Sequence, residues 1–202
     1  MIADQDFSPD FIDRLVAGDR RVFGELVERT SPKIFALGLR MLGNEQDAED
    51  MLQETYLKAF KALPNFEKRS SISTWLFRIA ANEALMLLRK RKSGASLVEV
   101  EKDDEQDDSA LEIVDWCCLP EQELVSTETR EKLNEAAENL SPALRMVFQL
   151  RDVDGFSITE TAEILDISED AVKTRLVRAR MKLREYLSVY FKERMEGGNQ
   201  HA

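Results

Sequence analysis

Ser157-Ile158-Thr159-Glu160-Thr161-Ala162-Glu163-Ile164-Leu165-Asp166-Ile167-Ser168-Glu169-Asp170-Ala171-Val172 decides the fold class. Its first nine residues predict a short amphipathic helix, Asp166 to Ser168 a tight turn, and Glu169 onward a longer second helix. That is helix-turn-helix spacing. Ala162 is small enough to let two helices approach closely, and Ile167 plugs the turn. Ser168 caps the second helix, and Val172 and Leu176 hold it against the first. Along that second helix Val172, Leu176, Ala179 and Leu183 form a narrow apolar stripe. Lys173, Arg180 and Arg184 flank one edge of the stripe and Arg175, Arg178 and Lys182 the other, while Thr174, Val177 and Met181 face away from the core. A helix lying in a major groove needs this layout, with a central face toward base edges and cations reaching phosphates on both walls. A solvated basic helix closing a bundle would share the composition, its acidic first turn complementing the dipole. The combination of small residue, plug, cap and basic edges favours DNA binding.

Upstream of this motif, Thr129 to Ala137 predicts a helix stopping at Asn139-Leu140, and Ser141-Pro142 starts another whose apolar face is Leu144, Val147, Phe148 and Leu150. Asp154-Gly155 is a turn. Before that the composition changes abruptly. Residues 96–128 hold Lys102 alone against 12 acids, whereas 1–95 hold 15 basic and 14 acidic side chains and 129–202 hold 12 and 13. The chain's net charge of −11 therefore belongs to one segment. Like charges at that density repel and have little apolar material to bury, which predicts a flexible acidic linker. The expected fold is all-α, with an N-terminal helical domain (1–95), the linker (96–128) and a C-terminal helix-turn-helix domain (129–202).

In the N-terminal part, Ser8-Pro9-Asp10 starts a helix with Phe11, Leu15 and Val16 on one face. A second helix starts near Asp19; Ser31-Pro32 interrupts or restarts it, and Ile34, Phe35, Leu37, Leu39 and Met41 continue it as a largely apolar run. Asn44 caps a third, whose stripe Met51, Leu52, Thr55, Leu57, Ala59, Phe60 and Leu63 is expected to face the core. Asp47, Asp50, Gln53 and Glu54 share its polar face, which suits either a solvated, well-capped surface or docking to a basic partner. A polar loop from Phe66 to Ser73 leads into a helix beginning Thr74-Trp75-Leu76 and ending in Arg89-Lys90-Arg91-Lys92. Arg78 and Asn82 lie together on it. Cations interleaved with rings and an amide suit single-stranded nucleic acid. Core packing for Trp75 and Phe77, and favourable charge at a helix C-terminus for the basic run, are the competing readings.

Other classes lose ground on composition. With 43% hydrophobic residues in 202, one or two packed domains are expected and global disorder is excluded. No run approaches the length of a membrane span, and the acidic first ten residues are not a secretory signal, so a cytoplasmic protein is expected. Adjacent Cys117 and Cys118 make no disulfide framework; with Trp116 and Leu119 they read as a small apolar anchor with reduced thiols. The only histidine is His201, and no P-loop or nucleophile motif occurs. No enzyme activity, metal, cofactor or small-molecule substrate is expected.

The order of parts is recognisable. Asp47-Ala48-Glu49-Asp50, Gln53-Glu54-Thr55, Ser73-Thr74-Trp75-Leu76-Phe77-Arg78-Ile79-Ala80-Ala81-Asn82, the basic run, the acidic linker and a C-terminal helix-turn-helix resemble bacterial sigma factors of the extracytoplasmic-function (ECF) group. The likeness spans about residues 8–190 and rests most on Thr74-Trp75-Leu76 with Arg78-Ile79-Ala80 and Asn82, supported by Lys173-Thr174-Arg175-Leu176 with Arg178-Ala179. It implies that Asp47, Asp50, Gln53 and Glu54 dock on core RNA polymerase. It implies that Phe66, Lys68, Arg69, Arg78 and Asn82 capture and melt the minus-ten element. It implies that Lys173, Thr174, Arg175 and Arg178 read the minus-thirty-five element of promoter DNA, and that an anti-sigma factor regulates the chain. Three positions depart from the family pattern: Asp170-Ala171 stands where Gly-Thr is frequent, and Asp166 where Gly is usual. The alternative function is a stand-alone helix-turn-helix transcriptional regulator.

Overall fold

The computed structural model describes residues 7–94 and 127–197, with side chains at 7–91 and 132–188. Every regular element among them is helical. Residues 95–126, which make up nearly all of the acidic linker (96–128) and include Trp116, Cys117, Cys118 and Leu119, and the terminal His201 lie outside the described residues.

Helix starts follow the capping chemistry. The Ser8 hydroxyl accepts from the Phe11 N–H at 3.2 Å and Pro9 occupies the first turn of α1 (Pro9–Val16). Asp19 accepts from Arg21 N–H at 3.0 Å and Val22 N–H at 3.4 Å to open α2 (Arg20–Leu42). Asn44 accepts from Asp47 N–H at 2.8 Å at the head of α3 (Glu45–Ala62), which closes into a 3₁₀ turn, Leu63–Asn65, containing Pro64. Ser71 accepts from Thr74 N–H at 2.9 Å as α4 (Ile72–Gly94) begins.

The sequence suggests a break at Ser31-Pro32, but α2 runs through it as one 23-residue helix. Proline removes one backbone donor and crowds the preceding turn. The neighbouring hydroxyls return bonds to the same stretch: Thr30 Oγ1 donates to Leu26 O at 2.6 Å and Ser31 Oγ donates to Val27 O. Thr30 is also tied to the Tyr56 hydroxyl of α3 at 2.6 Å, so tertiary packing holds the turn that proline weakens.

Helices α2, α3 and α4 close around Ile34, Leu37, Met41, Met51, Leu76 and Ala80, all essentially inaccessible to solvent. Gly38 sits where α2 meets α3. A Cβ added there would lie 2.8 Å from Met51 Cε and 3.2 Å from Ala48 Cβ, so the close crossing favours glycine and a larger residue would have to displace the Met51 end and Ala48. A second cluster, with Phe11, Leu15, Leu26, Leu63, Phe66 and Ile72, fastens α1 to the start of α4.

In the C-terminal module, α5 (Thr127–Glu138) precedes α6 (Pro142–Phe148), which continues into a π-helical turn, Gln149–Val153. Next come α7 (Ile158–Leu165) and α8 (Glu169–Gly197). Ser157 and Glu160 cap α7 reciprocally: Glu160 N–H donates to the Ser157 hydroxyl at 3.1 Å, and Ser157 N–H donates to Glu160 Oε2 at 2.7 Å. Asp166 adopts φ 56°, the left-handed conformation that ends α7. That explains why glycine is usual there; aspartate is among the few other residues that tolerate it. Ser168 then accepts from Ala171 N–H at 3.1 Å, as expected of the α8 cap.

The two modules share a core. Met146, Leu150, Phe156 and Ile164 belong to the same buried cluster as Met41, Leu42, Phe77 and Ala84, and the Phe77 and Phe156 rings meet edge-on at 4.8 Å between centroids.

Candidate nucleic-acid and partner interfaces

Helix α3 presents Asp50, Gln53 and Glu54 to solvent, with Asp47 half-buried one turn before them. Asp47 is held by Asn44 Nδ2 at 2.9 Å and by an ion pair with Arg91 of α4. Asp50, Gln53 and Glu54 form the rim of a shallow groove between α3 and α4, with Leu57, Met86 and Leu87 contributing apolar surface. Leu57 is 55% exposed and Phe60 is 45% exposed, contrary to the core role their helical stripe suggests. The stripe is wider than the surface that α2 and α4 cover, so its edge is left facing water. Glu83 lies buried beside the groove, and Lys58 donates to it at 2.5 Å while also lying 3.7 Å from Glu54. The Glu83 hydrogen bond holds the Lys58 ammonium above its usual range. A carboxylate rim around exposed leucine and methionine suits a partner helix carrying cations and apolar side chains. Leu57 and Met86 were not legible as interface residues, because period alone does not say which edge of a stripe stays uncovered.

The loop before α4 is anchored at both ends. Phe66 is 7% exposed and packs on Trp75 with ring centroids 5.2 Å apart. In this arrangement it is a packing residue, and the surface expected of it passes to its neighbours. Lys68 takes a left-handed φ of 56° and pairs with Asp13 of α1. Arg69 is exposed and lies 2.6 Å from Glu67. Arg78 and Asn82 stand on the exposed side of α4 one turn apart, while Phe77 beside them is buried. Arg78 Nη2 is 3.4 Å from Asp166 Oδ1 in the helix-turn-helix turn. The basic run closing α4 also serves the fold: Arg91 Nη1 donates to Leu42 O at 2.8 Å, satisfying a carbonyl at the end of α2.

On α8 the expected stripe is the buried side: Val172, Leu176, Ala179 and Leu183 are each 7% exposed or less. Lys173 and Thr174 are exposed, and Arg175 and Arg178 are half-buried and engaged in side-chain interactions. Lys173 Nζ donates to Asp170 at 2.9 Å, which holds its ammonium above the usual lysine range. Arg180 departs from the phosphate-facing role. It grips Asp152 of the π-helical turn through Nε at 2.9 Å and Nη2 at 2.7 Å, a fork that fixes α8 against α6.

Comparison with known proteins agrees with this layout. Residues 26–94 match the Sigma-70 region 2 family and residues 130–183 match Sigma-70, region 4. The ECF RNA polymerase sigma factor SigW of Bacillus subtilis is 35% identical over 176 residues, which cover 87% of this chain and 94% of the relative. The ECF RNA polymerase sigma-E factor of Escherichia coli K12 is 33% identical over 172 residues, covering 84% and 88% respectively. Among solved structures, CnrH in complex with the cytosolic domain of CnrY aligns with a TM-score of 0.62 at 27% identity, covering 89% of this chain and 96% of that one. The sigma factor RpoE of Bartonella quintana in complex with the anti-sigma factor NepR gives 0.59 at 27% identity, with 83% and 97% covered. The first matched region runs from within α2 to the end of α4, the second from within α5 into α8, and the relatives are matched along most of their length. The chain belongs to the ECF RNA polymerase sigma factors.

Proposed function

We propose that this chain is an alternative sigma factor that binds core RNA polymerase through α3, directs it to specific promoters through α8, and helps open the minus-ten DNA through α4. The observation that carries this reading is the acid-rimmed apolar groove beside Asp50, Gln53 and Glu54, on the same chain as a basic helix-turn-helix. A stand-alone regulator would use α8 and have no need of the groove, so that alternative is not favoured. Asp47, Asp50, Gln53 and Glu54 meet the polymerase. Lys68, Arg69, Arg78 and Asn82 meet the minus-ten strand, with Phe66 supporting their loop from beneath. Lys173, Thr174, Arg175 and Arg178 meet the minus-thirty-five duplex. Residues 1–95 and 129–202 act as the two working units with 96–128 as tether.

The chain catalyses no reaction itself. It works in the cytoplasm, where core polymerase and DNA are, and an anti-sigma factor is its regulatory partner, as NepR is for RpoE in that solved complex. Among the described residues no helix is long and apolar enough to cross a membrane. Run-off transcription with purified core polymerase across genomic promoters tests the reading. Discrete start sites that require this chain, and that vanish with Leu57→Glu, support it. Nanomolar, sequence-selective promoter binding without polymerase would count against it.

A further inference from the structure

A cation stands beside the acidic rim of the groove between α3 and α4. Lys58 follows Glu54 by four positions on α3, the spacing and order at which a glutamate and a lysine pair well on a helix surface. The structure shows them only in loose approach. Lys58 Nζ lies 3.7 Å from Glu54 Oε1, beyond hydrogen-bond reach, and donates instead to Glu83 Oε1 of α4 at 2.5 Å. Two carboxylates contend for one ammonium, and the one on the neighbouring helix holds it.

Glu83 is costly where it stands. Its side chain is 7% exposed, and Ala80 one turn before it and Ala84 beside it are fully buried. A carboxylate in such a place loses its hydration and is tolerated only with a counter-ion. Lys58 supplies the counter-ion while 41% of its own side chain remains in water. An apolar side chain at this position would close the contact of α4 with α3 at no such cost, so packing alone does not call for an acid.

The consequence falls on the rim. Asp50, Gln53, Glu54 and Glu83 line the groove with Leu57 and Met86, and none of the residues lining it is cationic. A partner helix bearing cations is attracted to such a rim to the extent that its carboxylates are not already neutralised. Without Glu83, the Lys58 ammonium would turn to Glu54, and the favourable i,i+4 pair would close. The rim would then lose an acceptor and present a cation that repels those of the partner.

We propose that Glu83 is a positioning residue of the docking groove: by holding the Lys58 ammonium toward α4, it leaves the Glu54 carboxylate open to a cation of core polymerase. This rests on the reading of α3 as the polymerase-binding helix.

Equilibrium binding of the full chain to purified core polymerase, read beside thermal melts, tests it. Glu54→Gln should weaken binding about three- to tenfold, and Glu83→Met should weaken it to a similar degree. In the Glu83→Met chain the further change Glu54→Gln should cost less than about twofold, because Lys58 already occupies that carboxylate. Lys58→Gln added to Glu83→Met removes the released cation and should return affinity to within about twofold of wild type. A role confined to packing predicts neither the coupling nor the rescue. Should Glu83→Met melt below the assay temperature, Glu83→Gln carries the same cycle. Its neutral amide holds the ammonium less firmly, so the pattern is the same at smaller size. Full affinity in a folded Glu83→Met chain, an undiminished cost of Glu54→Gln beside it, or no rescue by Lys58→Gln overturns the role of Glu83 alone. Glu54→Gln without effect in an otherwise wild-type chain overturns the docking reading of Glu54, and this inference with it.

Discussion

Arg91, at the basic end of α4, bridges two elements: its guanidinium pairs with Asp47 of α3 and donates to Leu42 O at the end of α2 at 2.8 Å. The side chain that positions the first acid of the surface proposed to face the polymerase thus also closes a helix terminus. Removing it exposes one carbonyl and leaves Asp47 with Asn44 alone. Arg91→Ala should destabilise the chain by about 1–2 kcal/mol in chemical denaturation. Arg91→Lys should recover only part of this, because a single ammonium nitrogen replaces the two separated guanidinium nitrogens that reach the carbonyl and the carboxylate. Asp47→Ala should weaken core polymerase binding more than it weakens the fold, and affinity measured beside denaturation separates the two.

Asp170 engages Lys173, the cation proposed to meet DNA. The pair spans 2.9 Å on an exposed surface, in the first turns of α8. A carboxylate beside the phosphate backbone is repulsive, and it occupies the cation proposed to meet that backbone. Asp170→Asn should tighten holoenzyme binding to minus-thirty-five duplex a few-fold. It should also steepen the fall of log affinity with log salt by up to about one. Unchanged affinity and slope would remove Lys173 from the phosphate contacts.

Much of this was legible in the sequence where the information is local. Ser8, Asp19, Asn44 and Ser168 announced their helices because a cap is a contact over two or three residues. The stripe Val172, Leu176, Ala179 and Leu183 announced the buried side of α8 because helical period fixes which residues share a face. Pro32 misled, because the tie of Thr30 to Tyr56, 26 positions away, depends on the folded neighbourhood. Arg180 read as a phosphate contact because its partner Asp152 lies 28 positions away in a turn whose π geometry no period signals. The meeting of Arg40 with Asp154 was silent for the same reason: each belongs to a module with its own complete amphipathic pattern. The site residues drew their roles from family resemblance, and the groove edge formed by Leu57 and Met86 became visible only once α3 and α4 were set side by side.

Phe66 and Arg69 sit three positions apart and should fail differently. Phe66→Ala removes a ring packed on Trp75 and should cost about 3–4 kcal/mol of stability. Arg69→Ala, at an 84% exposed side chain, should leave stability within about 0.5 kcal/mol while reducing strand opening. Permanganate reactivity of unpaired thymines in the minus-ten region, read beside thermal melts, distinguishes the two. A melt of Phe66→Ala indistinguishable from wild type would mean that the ring contributes to DNA rather than to packing.

Asp154, whose carboxylate accepts from Arg40 Nη2 at 2.7 Å, gives the fold a pH dependence with a definite sign. Burial pushes its carboxyl above the ordinary value of 3.8, against the opposing pull of Arg40 and Lys33. When the chain unfolds, the group returns toward its ordinary range, so between the ordinary and the raised value the folded chain binds more protons than the unfolded one. The contribution to stability is therefore fully present below the ordinary value and is lost as pH rises through the raised one. Asp154→Asn keeps an acceptor for Arg40 without the charge, so it should lack this decline. Chemical denaturation of both chains, followed from pH 4 to 7, should show the variant gaining on wild type as pH rises and more stable than it at neutral pH. An asparagine variant less stable than wild type at neutral pH would instead mean that attraction to Arg40 outweighs the desolvation of the carboxylate.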